Sequence, residues 1–184
     1  VTDIICNTHK LKCEHITIAY TPSNAEAAFH NICGQSVDYL PQQGGNLGER
    51  MKKAFKYSFD KSPKRTVIIG TDSPTLPLSY IQKAFDALKE VPVTIGPTFD
   101  GGYYLIGLSE RNDAIFDGVD WSTSRVFSQT LARIQALNKP LCVLPPWYDV
   151  DTSDDLEFLR SHILSMKMSG TSELPDNTMQ FLKI

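Results

Sequence analysis

The chain has 184 residues, a formal net charge of −3 and 41% apolar residues, which is the profile of one globular domain rather than a disordered segment. Its 18 Lys and Arg against 21 Asp and Glu exclude the basic excess that general nucleic-acid binding needs. Every apolar run falls short of the roughly 20 residues that cross a bilayer, so we expect no membrane span.

Extended and helical patterns alternate along the chain. Apolar runs predict strands at 15–20, 37–40, 66–70, 93–96, 103–108 and 141–144. Apolar residues at helical spacing predict helices at 2–10, 23–32, 46–59, 77–88, 122–137 and 153–166. Such alternation is typical of βαβ units, so we expect an α/β fold with a mostly parallel sheet and helices on both faces.

Cap residues and changes in composition predict where several elements begin and end. Ser23 or Asn24 is the expected cap of the second helix, and the run TVIIG at 66–70 is typical of a parallel strand buried on both faces. We predict one domain over residues 1–168. Residues 169–184, which are polar up to Phe181, are predicted to be a C-terminal tail that docks on it.

Asp72 directly follows the strand predicted at 66–70, within the sequence GTDSPTLP. Ligands of open parallel α/β sheets bind beyond the carboxyl ends of the strands. A carboxylate in this place can hold a hard cation such as Mg²⁺ or Mn²⁺ against phosphate oxygens. The alternative is a plain turn, because Asp, Ser and Pro are all turn formers.

Two glycines follow Asp100 in the sequence TFDGGYYLIG. Glycine lets the backbone approach a ligand closely, so the amides of Gly101 and Gly102 are candidates for contacts with phosphate or sugar. A tight turn that leads into the next strand is the structural alternative.

A third acidic segment, WYDVDTSDDL, precedes the last predicted helix. Side chains alternate in an extended backbone, so Asp149 and Asp151 would share one face. Either Asp151 or Thr152 could cap the helix, and the next two acids match its dipole. The pair at 149 and 151 exceeds what a cap requires, which makes these two residues candidate metal ligands.

Two further segments combine cap signals with possible ligand contacts. Asn46 and Glu49 have the spacing of a capping box, and Arg50 in the same first turn faces either a phosphate or water. Trp121 and Ser122 begin either a helix cap or a set of amides and hydroxyls presented to an anion. Arg50, Trp121 and Ser122 are therefore candidate substrate-binding residues.

Together, the motifs GTDSPTLP, FDGGYYLIG, WST and WYDVDTSDDL resemble a bacterial family of GT-A-type nucleotide-diphospho-sugar transferases. The resemblance extends from about residue 40 to residue 159. It implies a Rossmann-like GT-A fold. Relatives open with a strand and a basic loop that receives the nucleotide, whereas this sequence begins with the pattern of the following helix, so we expect the first strand to be lacking in this chain.

The resemblance also implies a metal site. Asp72 takes the place of the metal-binding acid in the GT-A DxD-type signature, although the string TDS supplies only one acid. DVDTSDDL is similar to a segment of sugar and cofactor nucleotidyltransferases. It implies that Asp149 and Asp151 lie where those enzymes place a second metal-binding acid. The expected cofactor is Mg²⁺ or Mn²⁺.

The function implied is a transferase that uses a nucleoside-diphosphate sugar. Asp100, Gly101 and Gly102 would border the sugar or acceptor pocket, with Asp100 as the catalytic candidate that orients a hydroxyl or acts as general base. The alternatives are a nucleotidyltransferase acting on a sugar phosphate or small phosphorylated metabolite, and a non-catalytic nucleotide-binding protein. The expected partner is a nucleotide sugar or nucleotide.

The cysteines and the first residues favour a cytoplasmic protein. The four cysteines form no CxxC pair and are not spaced with histidine as zinc ligands, so we expect reduced, mostly buried thiols. The first residues lack the charged and apolar regions of a signal peptide. No feature of the sequence predicts the oligomeric state.

Overall fold

A computed structural model describes residues 2–11, 13–34 and 36–184. Its elements, in chain order, are α1 (Thr2–Thr8), β1 (Thr17–Tyr20), α2 (Glu26–Cys33), β2 (Asp38–Pro41), α3 (Leu47–Phe59), β3 (Thr66–Ile69), α4 (Leu78–Ala87), β4 (Val93–Pro97), β5 (Tyr103–Leu108), a 3₁₀ helix (Asp113–Phe116), α5 (Val126–Ala136), β6 (Leu141–Val143), α6 (Ser153–Ser169) and α7 (Asp176–Leu182). Each predicted strand and helix has a counterpart among these elements. The 3₁₀ helix and α7 were not predicted.

The strands of the described residues form two sheets. β1 and β2 pair in parallel, and the other strands form a sheet in the order β3-β5-β4-β6. β5 is antiparallel to β3 and β4, whereas β6 is parallel to β4. The α/β class with helices on both faces is confirmed, and the larger sheet is not wholly parallel, because β5 runs opposite to the other three strands. The reason is that residues 98–102 are too few to form the crossover that parallel neighbours require.

Three strands of the mixed sheet nevertheless point in one direction. β3 and β4 are both antiparallel to β5, and β6 runs parallel to β4. The carboxyl ends of β3, β4 and β6 therefore meet at one edge of the sheet, which we call the carboxyl edge. β3 itself is the first strand in the order β3-β5-β4-β6, with only one neighbouring strand, and its side chains are half-buried. The expectation of a parallel strand buried on both faces is therefore wrong.

Helices cover both faces of the larger sheet. On one face, Phe55 of α3 and Ile134 of α5 are buried in a cluster with Ile106 of β5. On the other face, Ile81 of α4 is buried in a cluster with Leu105 of β5. Neighbouring residues of a strand point to opposite faces, which is why Leu105 and Ile106 belong to different clusters. Each such buried side chain stabilises the fold by about 1.5–3 kcal/mol.

Two helix starts differ from the prediction. The residue before α2 is Ala25, whose methyl side chain cannot accept a hydrogen bond, so the expected caps Ser23 and Asn24 are wrong. α5 begins at Val126, four residues later than predicted. The delay follows from a turn over residues 121–124, where one backbone φ angle is +62° and therefore not helical.

The thiols are more exposed than the sequence predicts. All four cysteines are free, but Cys33 alone among them is buried; Cys6 is exposed, and Cys13 and Cys142 are half-buried. The expectation of mostly buried thiols is therefore wrong, because Cys6 lies on the solvent side of α1. In the part of the chain that the structure describes, no helix combines the length and the hydropathy needed to cross a bilayer.

The C-terminal segment docks on the first helix through α7. The buried carboxylate of Asp3 accepts hydrogen bonds from the backbone N–H groups of Asn177 at 2.9 Å and Thr178 at 2.8 Å. It also accepts from Asn177 Nδ2 at 3.0 Å and Thr178 Oγ1 at 2.6 Å. These N–H groups belong to the first turn of α7, so Asp3 caps α7 from a different helix.

Asp3→Ala should therefore release α7. The free energy of unfolding should fall by about 1–3 kcal/mol, because the N–H groups of Asn177 and Thr178 lose the buried carboxylate that accepts their hydrogen bonds. Burial acts to raise the pKa of Asp3, but its hydrogen bonds outweigh this effect and hold the pKa below its ordinary value. The stabilisation is thus present above the unfolded-state pKa and is lost as pH falls through the lower folded-state value.

Urea unfolding at neutral and at acid pH measures both effects. Asp176→Ala, which changes an exposed acid in the first turn of α7, is the matched control and should have a much smaller effect. Equal midpoints for Asp3→Ala and the unmodified chain at pH 7 would contradict the role of Asp3.

Candidate functional site

A short segment after β6, Trp147–Val150, crosses the carboxyl edge, and we call it the strap. Its first N–H group donates to the carbonyl of Pro97, at the end of β4, at 3.0 Å. Its last N–H group donates to the carbonyl of Asp72, after β3, at 3.0 Å. The strap therefore connects the loops that follow two different strands.

A side-chain hydrogen bond joins the strap to the loop after β3. The buried Ser73 donates from Oγ to Oδ1 of Asp149 at 2.6 Å. Asp149 is half-buried. Asp72, which precedes Ser73, and Asp151, which lies two residues after Asp149, are both exposed. Asp72 and Asp149, which are far apart in the sequence, are thus held in adjacent segments at the carboxyl edge.

The acids of this edge act on one another electrostatically. Burial raises the pKa of Asp149, the hydrogen bond from Ser73 lowers it, and the charges of Asp100, Asp151 and Asp72 raise it further, so the net shift is upward. Partial loss of hydration raises the pKa of Asp151, and the charges of Asp72 and Asp100 add to that effect. We name Asp72, Asp100, Asp149 and Asp151 the acidic group.

Asp100 lies in the tight turn between β4 and β5. Its Oδ1 accepts hydrogen bonds from Thr98 Oγ1 and from the N–H of Gly102, the latter at 2.9 Å. Gly101 has φ of +92°, and a Cβ atom there would lie 2.0 Å from the carbonyl oxygen of Ser124. The glycine is therefore required by the turn. The N–H of Gly102 is occupied by Asp100 rather than directed to a ligand.

Arg50 lies in a different region, on the first turn of α3. Its Nε donates to the carbonyl of Gly44 at 3.4 Å, and Nη1 lies 3.5 Å from Oε1 of Gln42. Arg50 and Gln42 line a cleft of about 370 Å³ between β2 and α3, which Lys53 also borders. As far as the described residues extend, the acidic group does not line this cleft.

The side chains of Asn46 and Glu49 both accept backbone hydrogen bonds at the start of α3. Asn46 caps the helix as predicted, because its Oδ1 accepts the N–H of Glu49 at 2.9 Å. Glu49 reaches back to the N–H of Gly45, at 2.7 Å, one residue earlier than a capping box requires.

Trp121 packs against this helix start. A Cβ atom at Gly48 would lie 2.4 Å from the Trp121 ring, and the ring centroid is 6.3 Å from that of Phe116. Ser122 is exposed in the same turn, which also touches Gly101 through its last residue, Ser124. Trp121 and Ser122 thus lie beside the loop of Asp100, and the Trp121 ring is engaged in packing.

Asp151 directly precedes a capped helix. Thr152 caps α6 and accepts the N–H of Asp155 at 3.2 Å, while Asp155 Oδ2 accepts the N–H of Thr152 at 2.8 Å. Asp155 also accepts the N–H of Asp151 at 3.2 Å. Of the two predicted caps, Thr152 is therefore the one used, and its partner in the capping box is Asp155. The Asp151 side chain does not cap α6, so its role as a member of the acidic group does not compete with helix capping.

Ser73, which orients Asp149 across a separation of 76 residues, was not predicted from the sequence. Nor were Thr75, Tyr148 and His162, whose side chains are hydrogen-bonded in a row beside the strap. The only local signal was their position, since Ser73 and Tyr148 each adjoin a predicted metal ligand.

The acidic group has the chemistry of a shared cation site. Within residues 2–11, 13–34 and 36–184, no three His, Cys, Asp or Glu side chains are arranged to hold a metal ion by themselves. Mg²⁺ is usually bound by one or two carboxylates and completes its shell with water and substrate phosphates. Asp72 with Asp149 or Asp151 fits this arrangement of one or two carboxylates. Burial and the charges of neighbouring acids raise the pKa values of Asp149 and Asp151.

The sequence matches, over residues 4–123, a family model described as an uncharacterized protein conserved in bacteria, DUF2064. The chain belongs to the DUF2064 family. Asp72, Asp100 and Trp121 lie within the matched range, whereas Asp149 and Asp151 follow it. No curated protein is detectably similar to the chain in sequence.

Solved structures extend the likeness to almost the whole DUF2064 chain. The crystal structure of a putative nucleotide-diphospho-sugar transferase from Desulfovibrio desulfuricans G20 has a TM-score of 0.84 and 32% sequence identity, with 98% of this chain and 80% of that chain covered. The bifunctional IspDF from Campylobacter jejuni has a TM-score of 0.51 and 10% identity, with 84% of this chain and 42% of that chain covered, so it shows the fold alone. The predicted family resemblance is confirmed.

Two substitutions should move the pKa of Asp149 in opposite directions. Asp151→Asn removes a neighbouring negative charge and should lower the pKa, whereas Ser73→Ala removes a hydrogen bond to the charged form and should raise it. NMR titration of the Asp149 side-chain carbon measures both shifts. Glu157→Gln on exposed α6 is the charge-matched control, and a shift of the same sign in both test variants would contradict the geometry.

Proposed function

We propose that this DUF2064 chain is a metal-dependent transferase that uses a nucleoside-diphosphate sugar as donor. The observation that carries the proposal is the hydrogen bonding that holds the segments of Asp72, Asp149 and Asp151 next to each other at the carboxyl edge. The structural neighbour described as a putative nucleotide-diphospho-sugar transferase supports the donor class. We expect the reaction to take place in the cytoplasm.

Asp72, helped by Asp149 or Asp151, would hold Mg²⁺ or Mn²⁺. When bound, the ion supplies a Lewis acid that neutralises the charge on the departing nucleoside diphosphate. Ser73 binds one oxygen of Asp149 and so restricts the rotation of that carboxyl group. Burial, together with the charges of neighbouring acids, raises the pKa values of Asp149 and Asp151, and a bound cation would offset both effects.

Asp100 would act on a hydroxyl group. In sugar transfer, the acceptor oxygen forms a bond to the anomeric carbon, the bond from that carbon to the phosphate oxygen breaks, and the acceptor proton passes to a base. Asp100 is exposed, and its Oδ1 is fixed by Thr98 and Gly102, so the carboxylate is held in place to orient a sugar hydroxyl or to accept that proton.

Asp72→Ala should abolish metal-dependent nucleotide binding and leave the melting temperature nearly unchanged, because the side chain is exposed. Calorimetric titration with Mn²⁺ and a nucleoside diphosphate measures the binding. Asp154→Ala removes an equally negative, exposed side chain from the nearby helix start and should bind like the unmodified chain. Loss of folding in Asp72→Ala would instead make Asp72 a structural residue.

The products separate sugar transfer from nucleotidyl transfer, which the same carboxylates would serve because both reactions act on a polyphosphate. Incubation with Mn²⁺, a panel of nucleotide sugars and acceptors should release a free nucleoside diphosphate. Release of pyrophosphate from a nucleoside triphosphate and a sugar phosphate would assign the chain to nucleotidyl transfer. Binding without turnover in either assay would favour a non-catalytic nucleotide-binding protein.

A further inference from the structure

The hydroxyl group of Tyr148 lies between side chains from two other parts of the chain. It is 2.7 Å from Thr75 Oγ1 and 2.7 Å from His162 Nδ1. Thr75 belongs to the loop that carries Asp72, Tyr148 is the strap residue directly before Asp149, and His162 lies on α6. The three side chains therefore join the segments on which the acidic group depends.

Both hydrogen bonds of Tyr148 can form at once. A phenol donates one hydrogen bond and accepts another, and a threonine hydroxyl or an imidazole nitrogen can take either role. The Tyr148 ring is itself held by aromatic neighbours: it stacks on Trp147 with centroids 5.6 Å apart and meets Phe158 edge-on at 4.8 Å. The hydroxyl position is thus set by packing before any ligand binds.

The polar atoms are not needed to fill space. Valine at position 75 or phenylalanine at position 148 would occupy nearly the same volume in this aromatic surrounding. Burying a hydroxyl group costs free energy unless it is hydrogen-bonded, and Thr75 is 5% exposed. A polar row in such a place selects one relative position of the segments that it connects.

We propose that Tyr148 is a positioning residue that clamps the strap to the loop after β3 through Thr75, and so sets the separation of Asp149 from Asp72. The clamp runs beside two other contacts of the same segments, from Val150 N–H to the Asp72 carbonyl and from Ser73 to Asp149. Its role in cation binding rests on the proposed function, whereas the clamp itself is a property of the free chain.

Two isosteric variants, Thr75→Val and Tyr148→Phe, remove the clamp without a cavity. In the free protein, hydrogen exchange of the Val150 amide should become about tenfold faster in each, because this amide bonds across the clamped segments. The double variant should exchange no faster than Tyr148→Phe alone, since the two hydroxyl groups make one bond. In the same variants, calorimetric affinity for Mn²⁺ with a nucleoside diphosphate should fall about fivefold.

Two controls keep the test specific. Thr75→Ser keeps the hydroxyl and should restore both slow exchange and Mn²⁺ affinity. Tyr39→Phe removes another tyrosine hydroxyl, bonded to the carbonyl of Gly34 beside the small sheet, and should change neither readout.

Unchanged exchange of the Val150 amide in Thr75→Val would overturn the clamp. Faster exchange with unchanged Mn²⁺ affinity would overturn its positioning role. If the unmodified chain binds no Mn²⁺ with any nucleotide, the proposed function fails, while the exchange rates still decide whether the clamp exists. If Tyr148→Phe does not fold, the comparison of Thr75→Val with Thr75→Ser decides the same question.

Discussion

The hydrogen bonds of the strap to the loop after β3 are the constraint on which the candidate site depends. β6, which leads into the strap, lies three strands from β3 in the order β3-β5-β4-β6. At about 4.8 Å between neighbouring strands, acids that simply followed β3 and β6 would stand roughly 14 Å apart. One cation cannot bridge that span, since its ligands lie about 2.1 Å from it. Because the strap turns back across β4, Asp149 reaches Ser73.

Burying these acids and holding them close together costs stability, and the direction of the cost follows from the pKa values of Asp149 and Asp151. Asp149 and Asp151 have raised pKa values in the folded chain, so their charged forms are less favourable there than in the unfolded chain. Stability therefore falls as pH rises through the titration of these groups, opposite to the effect of Asp3. Hydrogen bonds hold these carboxylates close together although their charges repel one another. Functional sites commonly retain such an arrangement, which packing alone does not favour.

Local patterns predicted the elements and the edge of the sheet at which the acids lie, because Asp72 and Asp100 each follow a strand that points to the same edge. The antiparallel β5 was predictable in principle from the short turn containing Gly101, yet the alternation of strands and helices favoured a parallel sheet. The bond from Ser73 to Asp149 was not predictable, since no local period encodes a contact across 76 residues. The late start of α5 likewise depends on a tertiary contact, that of Ser124 with the glycine turn.

The turn at residues 121–124 shows how packing can account for a string that resembles a ligand motif. Its tryptophan lies where a Cβ atom at Gly48 would come within 2.4 Å, and its last carbonyl where a Cβ atom at Gly101 would come within 2.0 Å. Packing against this one turn therefore explains why glycine is needed at both positions, Gly48 and Gly101. The same turn touches both the helix that carries Arg50 and the loop that carries Asp100. The turn is therefore packed between the start of α3 and the glycine turn, so packing rather than charge accounts for its place between the two candidate binding regions.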